Sequence, residues 1–169
     1  MTPEAEVRRQ IRVGVFYDGG YFAKVSNFYK FEHHMQARLS MSGIRRFVES
    51  VLTDDPHQQG PVMLSVEAHY FAGRLSVDQL RETCRDDGQR LKRLENERTF
   101  ELTLIREDVE PHALPMGSRG EKGIDVLFAL RAKRVAVEGR FDWVVLVTGD
   151  GDFVPLVRDL HQHGIRVML

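Results

Sequence analysis

Residues 144–153 read VVLVTGDGDF: four aliphatic residues, then a turn that sets two carboxylates, Asp150 and Asp152, two positions apart. A β-rich apolar run closed by turn residues predicts a buried strand. Residues 153–163 carry apolar positions at helical spacing and stop at Gly164, which predicts a helix directly after it. Capping that helix needs one acid, and like charges this close repel. Asp152 is the expected cap, because Pro155 then falls in the first turn, where proline is tolerated. That leaves Asp150 unexplained.

The same pattern opens the chain. IRVGVFYDGG, residues 11–20, is a short β-rich run ended by Asp18 and two glycines, with an aromatic-rich helix expected over GYFAKVSNFYKF. Ser42 is then expected to cap a helix whose apolar face holds Ile44, Phe47, Val48 and Val51. Residues 56–61 read as a loop, VMLSVEAHYFA (62–72) as a second strand, and residues 77–96 as one long amphipathic helix. FELTLI (100–105) alternates well enough to predict a third strand. EDVEPHALPMGSRGEKG (107–123), rich in Pro and Gly, reads as a long connection of the functional kind. From Ile124 the positions Ile124, Leu127, Phe128 and Val135 predict a helix stopped by Gly139. Trp143 begins the fourth strand, and IRVML (165–169) is the fifth.

Strands alternating with helices predict an α/β fold of three layers, with a five-stranded parallel sheet covered on both faces. At 169 residues the chain suits a single domain, 1–169, compatible with excision from a longer chain because its last strand closes it.

In such sheets ligands bind beyond the carboxyl ends of the strands. Asp18 follows the first strand, Asp150 and Asp152 follow the fourth, and Asp125 lies in the first turn of the helix after the third. If strands one and four are neighbours, four carboxylates from three distant segments meet at one spot. Oxygen ligands of that kind suit a hard divalent cation such as Mg²⁺. The competing structural readings are a turn residue for Asp18 and a dipole-favourable surface acid for Asp125. An EF-hand loop from Asp150 fails at Val154 and His161, an aspartyl-phosphatase motif fails at Val154, and no phosphate-binding loop with its Lys and Ser or Thr is present.

Composition narrows the classes. The chain is 42% hydrophobic and 29% charged, which is the profile of a globular protein. With 24 Lys and Arg against 25 Asp and Glu it is no bulk polycation. No apolar run reaches membrane-helix length, the first residues lack a secretory pattern, and the one cysteine, Cys84, cannot form an internal disulfide. A cytoplasmic location without membrane association is the expectation.

Three stretches taken together, VFYDGGYF (15–22), EKGIDVLFALRAKRVA (121–136) and FDWVVLVTGDGDFVPLV (141–157) with HGIRVML (163–169), resemble the NYN domain of the LabA-like group, which are PIN-like ribonucleases. The resemblance implies a PIN-like (Rossmann-like) α/β/α sheet in the order 3-2-1-4-5, so that strands one and four adjoin. It implies cleavage of RNA with Mg²⁺ or Mn²⁺, with Asp18, Asp125, Asp150 and Asp152 as the catalytic and metal-site acids and Thr148 as an accessory hydroxyl. Many members carry Asn three residues after the first acid; here that position is Tyr21.

A nucleic-acid substrate needs phosphate partners, and Arg119 and Lys122, flanking the start of the Asp125 helix, are the candidates. Arg131, Lys133 and Arg134 read as a solvated helix face. Tyr21, Phe22, Phe28 and Tyr29 are candidates for base stacking, against a core role for aromatics at helical spacing. His33 and His34 are adjacent, a poor spacing for two ligands of one metal, and read as surface. The reading is therefore a metal-dependent ribonuclease acting on RNA, single-stranded by preference. A DNA-directed nuclease on the same scaffold is not separated from it, and a homodimer is left open. The alternative is a non-catalytic RNA- or protein-binding regulatory module, which the Tyr21 departure favours.

Overall fold

A computed structural model describes residues 9–54, 62–116 and 123–169. Strand β1 (Arg9–Asp18) lies at the centre of a five-stranded sheet, with β2 (Val62–Arg74) on one side and β4 (Trp143–Val147) on the other. Beyond them lie β3 (Val109–Pro115) and β5 (Arg166–Met168), so the order is β3-β2-β1-β4-β5 with every pairing parallel. The central strand is apolar on both faces, as a doubly covered strand must be. Ile11, Val13, Val15 and Tyr17 face one layer of helices and Phe16 faces the other.

The first layer contains α1 (Gly19–Phe31), α2 (Met41–Thr53) and the end of α4 (Asp87–Arg106), which contribute Phe22, Met41, Val48, Leu52 and Leu104 to the core. The second contains α5 (Ile124–Glu138) and α6 (Val154–Gln162), whose Phe128, Ala132, Ala136, Leu156 and Leu160 pack on Phe16 and Phe71. A short helix, α3 (Val77–Thr83), precedes α4. The chain runs outward from β1 through β2 to β3, then crosses back over β1 to β4. Strand order therefore reverses between β1 and β4, and their carboxyl ends form the crevice where ligands bind in open parallel sheets.

Four expectations change. FELTLI is not a strand. It completes α4, because Phe100 and Leu104, read as period two, are also four apart; Leu104 is buried and Phe100 packs edge-on to Tyr70 at 5.3 Å. The third strand is instead VEPHALP, inside the stretch expected to be a connection, and Pro111 and Pro115 are tolerated there because β3 is a sheet edge. The long helix expected over 77–96 is broken: Ser76 caps α3 with Gln79 in a capping box, Cys84 ends it, and Asp86 caps α4. Helix α2 is capped by Ser40, not Ser42, and its inward face is Met41, Ile44, Val48 and Leu52, while Phe47 and Val51 are exposed. The expected loop at 56–61 lies outside the described residues.

Candidate active site

Register places the acids. Tyr17 pairs with Val147, so Asp18 and Thr148 leave the sheet side by side at the carboxyl ends of β1 and β4. Thr148 Oγ1 donates to Asp18 Oδ2 at 3.0 Å and accepts the Asp150 amide N–H at 3.2 Å. One hydroxyl thus ties the first acid to the turn that carries the next two.

Asp18 also caps α1, its Oδ1 accepting the Tyr21 amide N–H at 3.2 Å. Gly19 is needed at that junction, since a Cβ there would lie 2.5 Å from the Phe71 carbonyl oxygen. The second turn works differently from the sequence expectation. Asp150 is the capping residue, its Oδ1 accepting the Asp152 amide N–H at 2.9 Å, because a 3-10 turn over Gly151–Phe153 intervenes before α6 begins at Val154. Asp150 therefore caps the 3-10 turn, α6 itself opens from Phe153 without a side-chain cap, and among the described residues it is Asp152 whose carboxylate is uncommitted. Asp125 sits in the first turn of α5, which Gly123 enters with a left-handed φ of 87° and no side-chain cap. Among the described residues no Lys, Arg or His forms an ion pair with any of the four acids.

The carboxyl of Asp125 is held above the usual carboxylate range, first by desolvation and then by the negative charges of Asp18, Asp150 and Asp152. Asp125 is exposed overall, so the charges are the informative part: four carboxylates from three segments share one field with no counterion among the described residues. That donor set fits a divalent cation. The acids are loosely spaced, however. Among the described residues the trio of ligand side chains whose donor atoms all lie within 4.8 Å of one another is found elsewhere. A space that wide suits an ion that keeps several of its waters, as Mg²⁺ does. Asp125, Asp150 and Asp152 are exposed and Asp18 is half-buried, so the site is an open surface.

Tyr21 stands against the acid-bearing turn. A Cβ on Gly149 would fall 2.5 Å from its ring, so the ring lies on the Gly149 backbone, and Tyr21 remains 38% exposed. On its other side is an apolar cleft of about 250 Å³ bordered by Phe47, Val147 and Met168. Of the other aromatics, Phe22 is core, edge-on to Tyr17 and Tyr70, whereas Phe28 is exposed. Arg119 and Lys122 lie outside the described residues. Arg131 does not belong to a plain solvated face: it reaches Glu110 at 3.6 Å, and Lys133 pairs with Asp159 at 2.8 Å.

Sequence reasoning missed a second polar cluster, formed by His69 and Glu67 of β2 with Glu110 and His112 of β3. Its only signal was the alternation that sets Glu67 and His69 on one face of β2. The partner strand carries the composition of a loop, so residue types alone do not bring Glu110 and His112 beside β2. Burial holds both imidazoles below their ordinary range, against the opposing pull of the neighbouring glutamates.

Comparison with known proteins bears on the acid site. The model of the NYN domain matches residues 12–169, and the chain therefore belongs to the NYN domain family, a PIN-like nuclease family. Among solved structures the chain is similar to VPA0982, a protein of unknown function from Vibrio parahaemolyticus. The TM-score is 0.51 at 20% identity, over 99% of this chain and 82% of that one. That likeness concerns the fold alone. No curated protein matches the chain.

Proposed function

We propose that this NYN domain is a ribonuclease that hydrolyses RNA phosphodiester bonds with Mg²⁺ or Mn²⁺ held by Asp18, Asp125, Asp150 and Asp152. The observation that carries the reading is the convergence of these carboxylates, uncompensated by any basic side chain among the described residues, at the point where strand order reverses. When bound, the cation supplies Lewis acidity to the phosphoryl group and to the attacking water. Asp125 and Asp152, whose carboxylates accept no hydrogen bond among the described residues, are the freest ligands. Asp150 has one oxygen fixed by the turn and offers the other. Asp18 is clamped by Thr148 and the Tyr21 amide, so it sets the position of the site relative to the sheet. The openness of the surface suits a polymer lying across it. Tyr21, whose ring lies on the Gly149 backbone and is 38% exposed, stacks on a base in this reading. Arg119 and Lys122 hold the strand by its phosphates.

The rival reading, a binding module on the same scaffold, draws on Tyr21. Its ring covers the Gly149 backbone at the position where many members of the family carry Asn, which removes one polar contact to metal or phosphate. Labelled single-stranded RNA and DNA incubated with the protein in Mn²⁺, Mg²⁺ or EDTA separate the readings. The ribonuclease reading expects cleavage of RNA in either metal and none in EDTA. Binding of RNA without cleavage in any metal supports the module, and preferential cleavage of DNA transfers the activity to the other polymer.

A further inference from the structure

Away from the acids, on the sheet face covered by α5, two strands bring together ligand atoms that the nuclease reading does not use. His69 of β2 pairs in register with Glu110 of β3, and Phe71 pairs with His112, so both histidines and the glutamate project from the same face. His69 Nδ1 lies 3.1 Å from His112 Nε2 and 3.3 Å from Glu110 Oε2, and His112 Nε2 lies 3.7 Å from Glu110 Oε1. The other ring nitrogen of His69, Nε2, lies 3.1 Å from Glu67 Oε1.

Proton counting makes this arrangement unusual. A neutral imidazole has a single N–H. If His69 donates from Nε2 to Glu67, its Nδ1 can accept from His112 Nε2–H at 3.1 Å, but the same lone pair then also faces Glu110 Oε2 at 3.3 Å. If it donates from Nδ1, the conflict moves to Glu67. The ring is only 1% exposed, so no water reaches it to relieve the conflict. A cation at Nδ1 resolves it, because the lone pairs of His69, His112 and Glu110 can then all point at one positive centre.

We propose that His69 Nδ1, His112 Nε2 and one carboxylate oxygen of Glu110 form a binding site for a divalent transition-metal ion of the Zn²⁺ type, with Glu67 orienting His69. For metal–ligand bonds of about 2.0–2.2 Å, neighbouring ligand atoms around a tetrahedral ion lie roughly 3.3–3.6 Å apart. His69 Nδ1 lies 3.1 Å from His112 Nε2 and 3.3 Å from Glu110 Oε2, close to that range, and one ligand atom from each of the three residues falls within 4.8 Å of the other two. The Glu67 contact supplies the carboxylate–histidine–metal relay that fixes the tautomer of a ligating ring. Both rings are held in place by stacking, His69 on Phe16 at 5.0 Å and His112 on Phe71 at 4.6 Å. Arg131 reaches Glu110 Oε1 at 3.6 Å, leaving Oε2 for the ion. Glu110 is 53% exposed, so a fourth position opens toward solvent. Two nitrogen donors select borderline-soft ions, whereas the all-oxygen set at Asp18, Asp125, Asp150 and Asp152 selects hard ones. The ion would pin the edge strand β3 to β2.

Metal titration of chelator-treated protein tests this, with Co²⁺ as the visible probe for a Zn²⁺ site. The Asp18→Asn/Asp150→Asn protein is used so that the carboxylate site does not contribute. The expected result is one Co²⁺ per chain, with the intense visible absorption of a four-coordinate ion, displaced by Zn²⁺. Glu110→Gln and His112→Gln, each in that background, should lose the signal while circular dichroism stays native. Glu67→Gln should weaken binding by roughly 10- to 100-fold. Glu67 and Glu110 are half-exposed, so their variants do not depend on a repacked core. Folded protein that takes up no Co²⁺, or uptake unchanged by both Glu110→Gln and His112→Gln, overturns the proposal.

Discussion

Thr148 makes two contacts with one oxygen, donating to Asp18 and accepting from the Asp150 amide. Those contacts make the first and fourth strand ends one rigid edge on which like charges are held close. Asp150 is one source of the field that holds the Asp125 carboxyl up. Asp150→Asn keeps an oxygen for the Asp152 amide and removes that charge. In EDTA the variant should therefore melt above wild type. The gain is about 1 °C, since exposed like charges cost a few tenths of a kcal/mol, and it should shrink as salt is added. Saturating Mn²⁺ should raise wild type by several degrees, because ligand at 100 times its dissociation constant contributes about 2.7 kcal/mol, and should raise the variant much less. Differential scanning fluorimetry of both proteins checks this; a variant that melts lower in EDTA and keeps the full metal shift would make Asp150 a structural cap only. Pro155 makes Asp152 the expected cap, but both acids stand before an apolar helical run, and that one proline does not separate them. The 3-10 turn at Gly151–Phe153 decided it, and nothing in the local residue types announces that turn. A second residue, Tyr17, is buried under α2, and burial pushes its hydroxyl up to about 12. Because the folded value exceeds the unfolded value of about 10, this stabilisation is complete below pH 10 and is lost as pH rises through 10 to 12. By pH 11 wild type should have lost about 1.4 kcal/mol more than Tyr17→Phe. Urea unfolding at pH 9 and pH 11 measures the difference, and equal losses would show that Tyr17 is not buried as described.

At the scale of elements, the strands that were legible were those with a continuous aliphatic run. Residues 13–17 and 143–147 are apolar because they are covered on both faces, and that demand leaves a plain trace. The edge strand is under no such demand. Val109 is its only buried residue, and two prolines are acceptable where one side of the strand has no partner, so its residues carry the composition of a loop. Conversely, FELTLI looks like a strand because a helix with only Leu104 fully buried leaves Leu102 and Ile105 exposed, blurring the helical stripe. The same contrast predicts dynamics. Backbone amides of β1, paired on both sides, should exchange slowest, and those of β3 fastest among β1, β2 and β3 in the absence of metal. Hydrogen exchange followed by mass spectrometry resolves the strands. Equal protection of β3 and β1 would contradict the placement of β3 at the edge.

For the whole molecule, parallel order β3-β2-β1-β4-β5 is what turns sequence distance into spatial proximity. Asp18 and Asp150 are far apart in the chain, and only the crossover from β3 back to β4 sets their strands side by side. The alternation of strands and helices predicted a parallel sheet, but adjacency of strands one and four followed from the resemblance to NYN domains rather than from any residue pattern. Pairing partners leave no mark on an all-aliphatic strand. The acid cluster was legible for the opposite reason: Asp18 and Asp150 follow apolar runs directly, at the carboxyl ends of strands, where open parallel sheets bind their ligands. The account stands or falls on that use. The most direct measurement compares cleavage of single-stranded RNA in Mn²⁺ by wild type, Asp18→Asn and Asp150→Asn, purified identically. Wild type should cleave, and each variant should lose at least roughly a hundredfold, the scale of removing one organised charge from such a site. Equal cleavage by all three, or no cleavage of RNA by wild type in either metal, would contradict it.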